Sequence, residues 1–231
     1  MVRILQRAHA KLISKDNMKE ISVRECLSFG WYRFKSRPWL FVGTGLILLG
    51  ASILADLPRS IIQHAAPGKW AFGFIAFVIS TGISFLVSMG KTAFYLRAHD
   101  STETADFKDL WHPHPYWKYG VVSILAGAAT IIGLILLIVP GIIIGIMLGF
   151  SLYIVIEKES KPIDAMRESI ALTKGHRWNL FLLGLALLGI NILGLLALVV
   201  GLFVSLPVSM LAIVHAYRIL SGTGKAAIPV V

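Results

Sequence analysis

Two histidines stand at alternate positions in Leu110-Trp111-His112-Pro113-His114-Pro115-Tyr116-Trp117. Alternate imidazoles can share one metal ion, but a closed site needs further ligands and no third-ligand cluster accompanies them. The single cysteine, Cys26, excludes an internal disulfide framework and any multi-cysteine centre. Asn191 and Pro207 are candidates of another kind, because both fall in long uncharged stretches. A mid-membrane amide can bind a substrate or ion, or bond a neighbouring helix. The helix bond is the expected use of Asn191. Pro207 frees a backbone carbonyl and kinks its helix, which is how some transporters build a site. Serine, histidine and aspartate fall in no triad-like context, and no Gly-rich phosphate loop is present. Glu103, Asp106 and Asp109 read as a solvated acidic patch. The residues therefore point away from an enzyme, a cofactor and a metal centre.

The elements that carry these residues are apolar and long. From Tyr119 to Ile156 no residue is charged, and Pro140-Gly141 interrupts the run. An uncharged apolar stretch of about 18 residues is enough to span a bilayer. This one is about twice that, so it reads as two passes joined at Pro140-Gly141. The chain is 56% hydrophobic and only 15% charged, well below the ~25% charged residues of a soluble domain. The expected class is an all-α integral membrane bundle of six spans: Trp39–Leu57, Trp70–Gly90, Tyr119–Val139, Ile142–Ile156, Leu180–Val200 and Leu202–Leu220. They form three hairpins, each preceded by an amphipathic lead-in segment. Three regions follow: a basic amino-terminal segment 1–38, the six-span domain 39–220 and a short tail 221–231. Within the first region Arg3, Arg7, Lys11 and Lys15 recur at helical spacing and suit either a helix lying among lipid headgroups or a frayed, solvated tail.

Charge sets the orientation. With the amino terminus in the cytoplasm, all of the 22 lysines and arginines except Arg59 and Lys69 fall on the cytoplasmic side. That is the positive-inside pattern. It predicts both termini cytoplasmic, in a membrane such as the prokaryotic cytoplasmic membrane. The loop residues Lys91 to Lys118 belong to that side, so no ionisable side chain is expected at the bilayer midplane. The net charge of +10 is then an attraction for anionic lipid rather than for nucleic acid. Arg97, Lys174, Arg177 and Arg218 are the expected headgroup contacts, beside interfacial aromatic residues.

Small residues mark where helices approach. Gly141, Gly145 and Gly149 form a ridge on the fourth span, and Ser80, Ser84 and Ser88 continue a stripe from Ala76 on the second. The lead-in segments are Ser22–Arg37, Thr104–Lys118 and Pro162–Arg177. In the last, Ser160 is the expected cap, Pro162 the first turn, and Gly175 the left-handed stop. Ile163, Met166 and Ile170 share the face expected to meet the membrane or the bundle. Spans two and six also end alike, in Phe94-Tyr95-Leu96-Arg97 and Ala216-Tyr217-Arg218.

These elements resemble the membrane domain fused to some glycerophosphodiester phosphodiesterases and its stand-alone, uncharacterised relatives. The likeness rests on Ile138-Val139-Pro140-Gly141-Ile142, on Ala165, Ser169, Leu172, Lys174 and Gly175, and on Pro207 with Tyr217-Arg218. Ser22-Val23-Arg24-Glu25-Cys26-Leu27-Ser28-Phe29-Gly30-Trp31 also fits. The resemblance implies a six-helix membrane fold and no activity, because phosphodiesterase chemistry belongs to a separate soluble domain. The function expected is a scaffold or accessory subunit with its basic face toward anionic lipid. The alternative is a permease for a lipid-like or small neutral substrate, using Asn191 and the Pro207 kink.

Overall fold

The computed structural model describes residues 21–65, 70–111, 116–197 and 200–223. Arg3, Arg7, Lys11, Lys15, His112 and His114 lie outside the described residues. All regular structure among the described residues is helical. In chain order the helices are α1 (Val23–Ser36), α2 (Pro38–Ala65), α3 (Trp70–Asp100), a 3-10 helix (Phe107–Trp111), α4 (Tyr116–Leu136), α5 (Ile138–Leu148), α6 (Ser151–Lys158), α7 (Pro162–Thr173), α8 (Arg177–Leu196) and α9 (Leu202–Ser221).

Among the described residues, six stretches are long and apolar enough to cross a membrane: Pro38–Leu57, Trp70–Asp100, Tyr116–Leu136, Ile138–Lys158, Arg177–Leu196 and Leu202–Ser221. The protein is an all-α integral membrane protein. A helix satisfies its own backbone groups, which hydrocarbon cannot do, so helices are the open-ended elements able to cross.

The hairpin in the long uncharged run turns at a different residue from the one expected. Leu137, with φ −166° and ψ 141°, separates α4 from α5, and Pro140-Gly141 lies inside the first turn of α5. The first turn has no intrahelical acceptor for its amides, so a proline there costs no hydrogen bond. Gly141 has a packing role instead. A Cβ on it would stand 2.5 Å from the backbone nitrogen of Leu134, and one on Gly133 would stand 2.9 Å from the Cα of Gly141. The two glycines let α4 and α5 touch backbone to backbone.

The fourth span is α5 and α6 together, 21 residues from Ile138 to Lys158. It begins earlier than expected, which removes the shortfall in length. A break at Gly149-Phe150 divides it. Ser169 of α7 bridges that break. Its hydroxyl donates to the carbonyl of Met147 at 2.7 Å and accepts the Phe150 amide at 3.2 Å. A break in a buried helix leaves polar groups that must find partners, and α7 supplies them from below.

α7 starts with Lys161 at its cap position rather than Ser160, followed by Pro162. Gly175, at φ +89°, makes the left-handed turn into α8, a region that costs a side chain energy. The buried face of α7 is Pro162, Ala165, Ser169 and Thr173. Ile163 is exposed, while Met166 and Ile170 are half-buried. Small residues win the inner face because α7 has to lie close beneath α4, α5 and α6. In the lead-in before α4, the described regular structure is only the 3-10 helix rather than an amphipathic α-helix.

α3 is the largest departure. It runs for 31 residues to Asp100, so Lys91 and Arg97 belong to a continuous helix and not to a loop. The segment Lys91–Asp100 contains no glycine or proline to stop it. Its Thr92–Leu96 stretch is buried in the core.

α9 forms the centre. It packs against α1, α2, α3, α7 and α8, and 61% of its most apolar window is buried, against 17% for α4. α1 lies directly on it: a Cβ at Gly30 would stand 2.6 Å from the Val208 carbonyl and 3.3 Å from the Ala212 amide. The amphipathic first helix is therefore a packed part of the bundle, with Cys26, Phe29, Gly30 and Phe34 inward.

Candidate functional site

One end of the bundle gathers the polar chemistry. It is the end at which α3 and α9 finish, α1 docks, and α7 crosses. Its core is a chain of titratable side chains that runs through four helices. On α3, His99 is 2% exposed, and on α9, His215 is also 2% exposed. His99 Nε2 faces His215 Nδ1 at 3.1 Å, and His99 Nδ1 faces Asp100 Oδ1 at 3.2 Å. At the other end of the pair, His215 Nε2 lies 3.9 Å from Glu25 Oε1 of α1. Phe29 of α1 stacks on His215 with ring centroids 3.9 Å apart and an interplanar angle of 8°.

Arg218 continues the chain. It is 6% exposed and donates to Asp100 Oδ2 at 2.5 Å and to Glu157 of α6. Tyr217 donates its phenolic proton to the same Glu157. One guanidinium thus ties α3, α6 and α9 together through two carboxylates. Arginine suits this position because its planar fork reaches two acceptors at fixed angles and always carries charge.

A second ring of contacts fixes the chain between α1 and α3. Arg33 donates to Thr102 Oγ1 at 3.1 Å. Arg37 caps the carbonyls of Thr102, Glu103 and Ala105 at 3.0, 3.0 and 3.2 Å, which are orphaned where α3 ends. Arg97 pairs with Asp109 at 2.7 Å, and Gly90 lets the 3-10 helix approach α3 at the Leu110 carbonyl.

The histidine pair has a defined proton logic. A carboxylate only accepts, so His99 carries its proton on Nδ1 and presents an Nε2 lone pair to the Nδ1–H of His215. On its other side His215 turns Nε2 toward the Glu25 carboxylate at 3.9 Å, beyond hydrogen-bond reach. Among the described residues no group of three or more histidines, cysteines or acids is placed to hold a metal ion.

The residues singled out in the sequence fall in several places. Arg218 turns inward and is held by Glu157 and Asp100, so it does not reach toward headgroups. Arg97 is about half exposed and held by Asp109. Lys174 is exposed at the end of α7, and Arg177 opens α8. Asn191 donates to the Leu187 carbonyl at 2.9 Å and across to Ser209 Oγ of α9 at 3.0 Å; its own amide oxygen is buried without a hydrogen-bond partner. Pro207 is buried within α9. Of the serine stripe, Ser80 is buried, Ser84 is exposed and Ser88 bonds the Tyr119 hydroxyl at 3.3 Å. In the glycine ridge, Gly141 makes the backbone contact, Gly145 only meets the Thr130 methyl at 3.5 Å, and Gly149 is exposed at the break.

Sequence reading missed Glu25, His99, Asp100, Glu157 and His215. One signal was present. Spans two and six each carry a histidine close to an arginine near their ends, as Arg97-Ala98-His99 and His215-Ala216-Tyr217-Arg218. The two like endings meet through these histidines.

The family described as "Protein of unknown function (DUF975)" matches residues 118–223. An "Uncharacterized protein Rv2560" of Mycobacterium tuberculosis (strain ATCC 25618 / H37Rv) is 33% identical over 224 residues, covering 87% of this chain and 69% of its own. The chain belongs to the DUF975 family. An "Uncharacterized protein Mb2590" of Mycobacterium bovis is likewise 33% identical, with the same coverage of both chains. Neither name makes a connection with glycerophosphodiester phosphodiesterases, so only the coarser part of that resemblance, to uncharacterised relatives, is shown. No solved structure matches. The matched segment, Lys118 to Thr223, includes Glu157, Ser169, His215 and Arg218.

Proposed function

We propose that this protein is a non-enzymatic membrane scaffold or accessory subunit that presents a basic cytoplasmic face to anionic lipid or to a partner bound there. The observation that supports this reading is the division of labour among its cations. Arg33, Arg37, Arg97 and Arg218 are engaged by other groups of the fold. Arg24, Lys108, Lys161, Arg167 and Lys174 are exposed around the same end and form no ion pair with a described residue. Cations left over on one face of a membrane protein attract anionic headgroups, by about 1 kcal/mol each near the surface. The positive-inside pattern of the sequence supports a cytoplasmic position for that face and both termini.

The test is thermal unfolding in lipid nanodiscs. Phosphatidylglycerol should raise the melting temperature over phosphatidylcholine, and changing Lys108, Lys161, Arg167 and Lys174 together to Gln should erase the rise. Equal melting in both lipids for the native chain would refute the basic-face reading. Reporter fusions after Gln63 and Lys225 check orientation: outside and cytoplasmic, respectively.

A permease for a lipid-like substrate is the second reading, favoured by a cavity that Pro207 lines. Asn191 is not among the residues lining it. If Asn191 only joins α8 to α9, Asn191→Cys in a Cys26→Ser background stays silent to a small water-soluble thiol reagent in intact membranes. Rapid labelling there would favour transport.

A further inference from the structure

A cavity of about 360 Å³ lies between α2, α3 and α9, beside the Pro207 kink. Its walls are mostly apolar, with Leu48, Leu206 and Met210 among them. Ser84, Lys91 and Tyr95 provide polar groups. Lys91 and Pro207 face it from neighbouring helices, about two helical turns (~12 Å) from the His99–His215 contact.

Lys91 is the unusual member. It is half-buried in the continuous α3 helix, which runs a further ~14 Å to Asp100. It makes no hydrogen bond or ion pair with a described residue, and no aspartate or glutamate lines the cavity. Asp100 is committed to His99 and Arg218, and Asp109 to Arg97. An ammonium group among apolar walls is costly unless a counter-charge accompanies it. The lysine stem lets the charge snorkel over part of the distance to the headgroup layer, yet its side chain borders the cavity. Nothing described in the protein supplies the missing negative charge.

We infer that this cavity binds the anionic head of an amphiphile, with Lys91 as its counter-ion. Tyr95 and Ser84 offer hydroxyl donors, and the acyl chain runs out past Leu48 and Leu206. A carboxylate and a phosphate diester share the chemistry required, so the head belongs either to a free fatty acid or to an anionic phospholipid. The inference needs only that the bundle sits in a membrane. It does not depend on the exposed basic face, and it gives the permease reading a site without requiring transport.

Native mass spectrometry of the detergent-purified full chain tests this. Oleate, phosphatidylglycerol and phosphatidylcholine are titrated separately against the native chain, Lys91→Gln, Lys91→Arg and Ser84→Leu, with thermal unfolding as a folding control. The expected result is saturable binding of one anionic probe, weakened about tenfold or more by Lys91→Gln and retained by Lys91→Arg. Ser84 is exposed, so Ser84→Leu narrows the cavity without disturbing the core; it should weaken binding too, even if Lys91→Gln folds poorly. Binding of oleate alone identifies a fatty acid as the source, and of phosphatidylglycerol alone a phospholipid. Equal binding of phosphatidylcholine, or anionic binding unaffected by both Lys91→Gln and Ser84→Leu, overturns the proposal. The lysine and arginine variants of the basic face leave this titration unchanged, so the two ideas fail separately.

Discussion

α9 and the α4–α5 hairpin are both held by close approach, but they solve different problems. At the hairpin, Gly133 and Gly141 bring two backbones together, and the residues around the turn, Ile135 to Val139, remain exposed. In lipid that exposure carries no penalty, because hydrocarbon is as apolar as the side chains. α9 is mostly buried and carries the polar chain His215, Tyr217 and Arg218. Small residues let helices meet without saying much about which helices. A buried guanidinium between two carboxylates from two other helices admits one arrangement, since any other leaves charge unpaired.

The contrast predicts an order of damage. Removing Arg218 is the largest insult, because Asp100 and Glu157 lose a shared partner. Arg218→Ala should cost about 2–4 kcal/mol in detergent unfolding, at the lower side of a buried pair because Asp100 is half exposed. Arg167→Ala on the exposed face should cost about 0–0.5 kcal/mol. Similar values for the two would dissolve the distinction between α9 and the rest.

Next comes the glycine crossing. Gly141→Leu places side-chain atoms against the Leu134 backbone and should cost about 1–3 kcal/mol. Gly145→Leu meets only a methyl group at ordinary contact distance, so it should cost clearly less. A reversed order in melting temperature would show that the two helices cross at Gly145 instead.

A smaller loss is expected at the break in the fourth span. Ser169→Ala leaves the Phe150 amide without its acceptor and should cost about 1–2 kcal/mol. Faster amide exchange at Phe150, with distant amides unchanged, would locate the effect; unchanged exchange there would mean that another group bridges the break.

The smallest expected signal belongs to Cys26. Burial, reinforced by the charge of Glu25, pushes its thiol up to about 12. An acid with a raised value stays protonated below it, and the thiol rather than the thiolate is the unreactive form. Folded protein should therefore resist maleimide at pH 8 and react once denatured. Prompt labelling of the folded chain would show that α1 leaves α9 readily, and would weaken the case for a single packed unit.

Much of the architecture was legible. Hydropathy marked six spans because a helix in lipid announces itself by length and lack of charge. The end of each span was less legible. Tertiary contacts carry α3 through Lys91 to Asp100, and a composition rule that ends a span at the first lysine cannot anticipate them. The turn at Leu137 was hidden for a related reason: proline and glycine signal a turn and serve a first helical turn or a close crossing equally well. Ser169 was visible as a residue of the resemblance, but its role needed the broken helix beside it.

The sequence by itself determined that this chain carries helices long and apolar enough to cross a membrane, with few charges inside them, since both follow from residue type summed along a segment. Only the tertiary structure decided which of those charges are paired within the fold. Arg218 and Arg97 look like surface anchors in one dimension, as Lys91 looks like a loop residue. Their fates depend on what another element brings within a few ångströms: Asp100 and Glu157 for Arg218, Asp109 for Arg97, and, among the described residues, no carboxylate lining the cavity beside Lys91. Hydropathy is a sum over neighbours in sequence, whereas pairing a charge depends on neighbours in space.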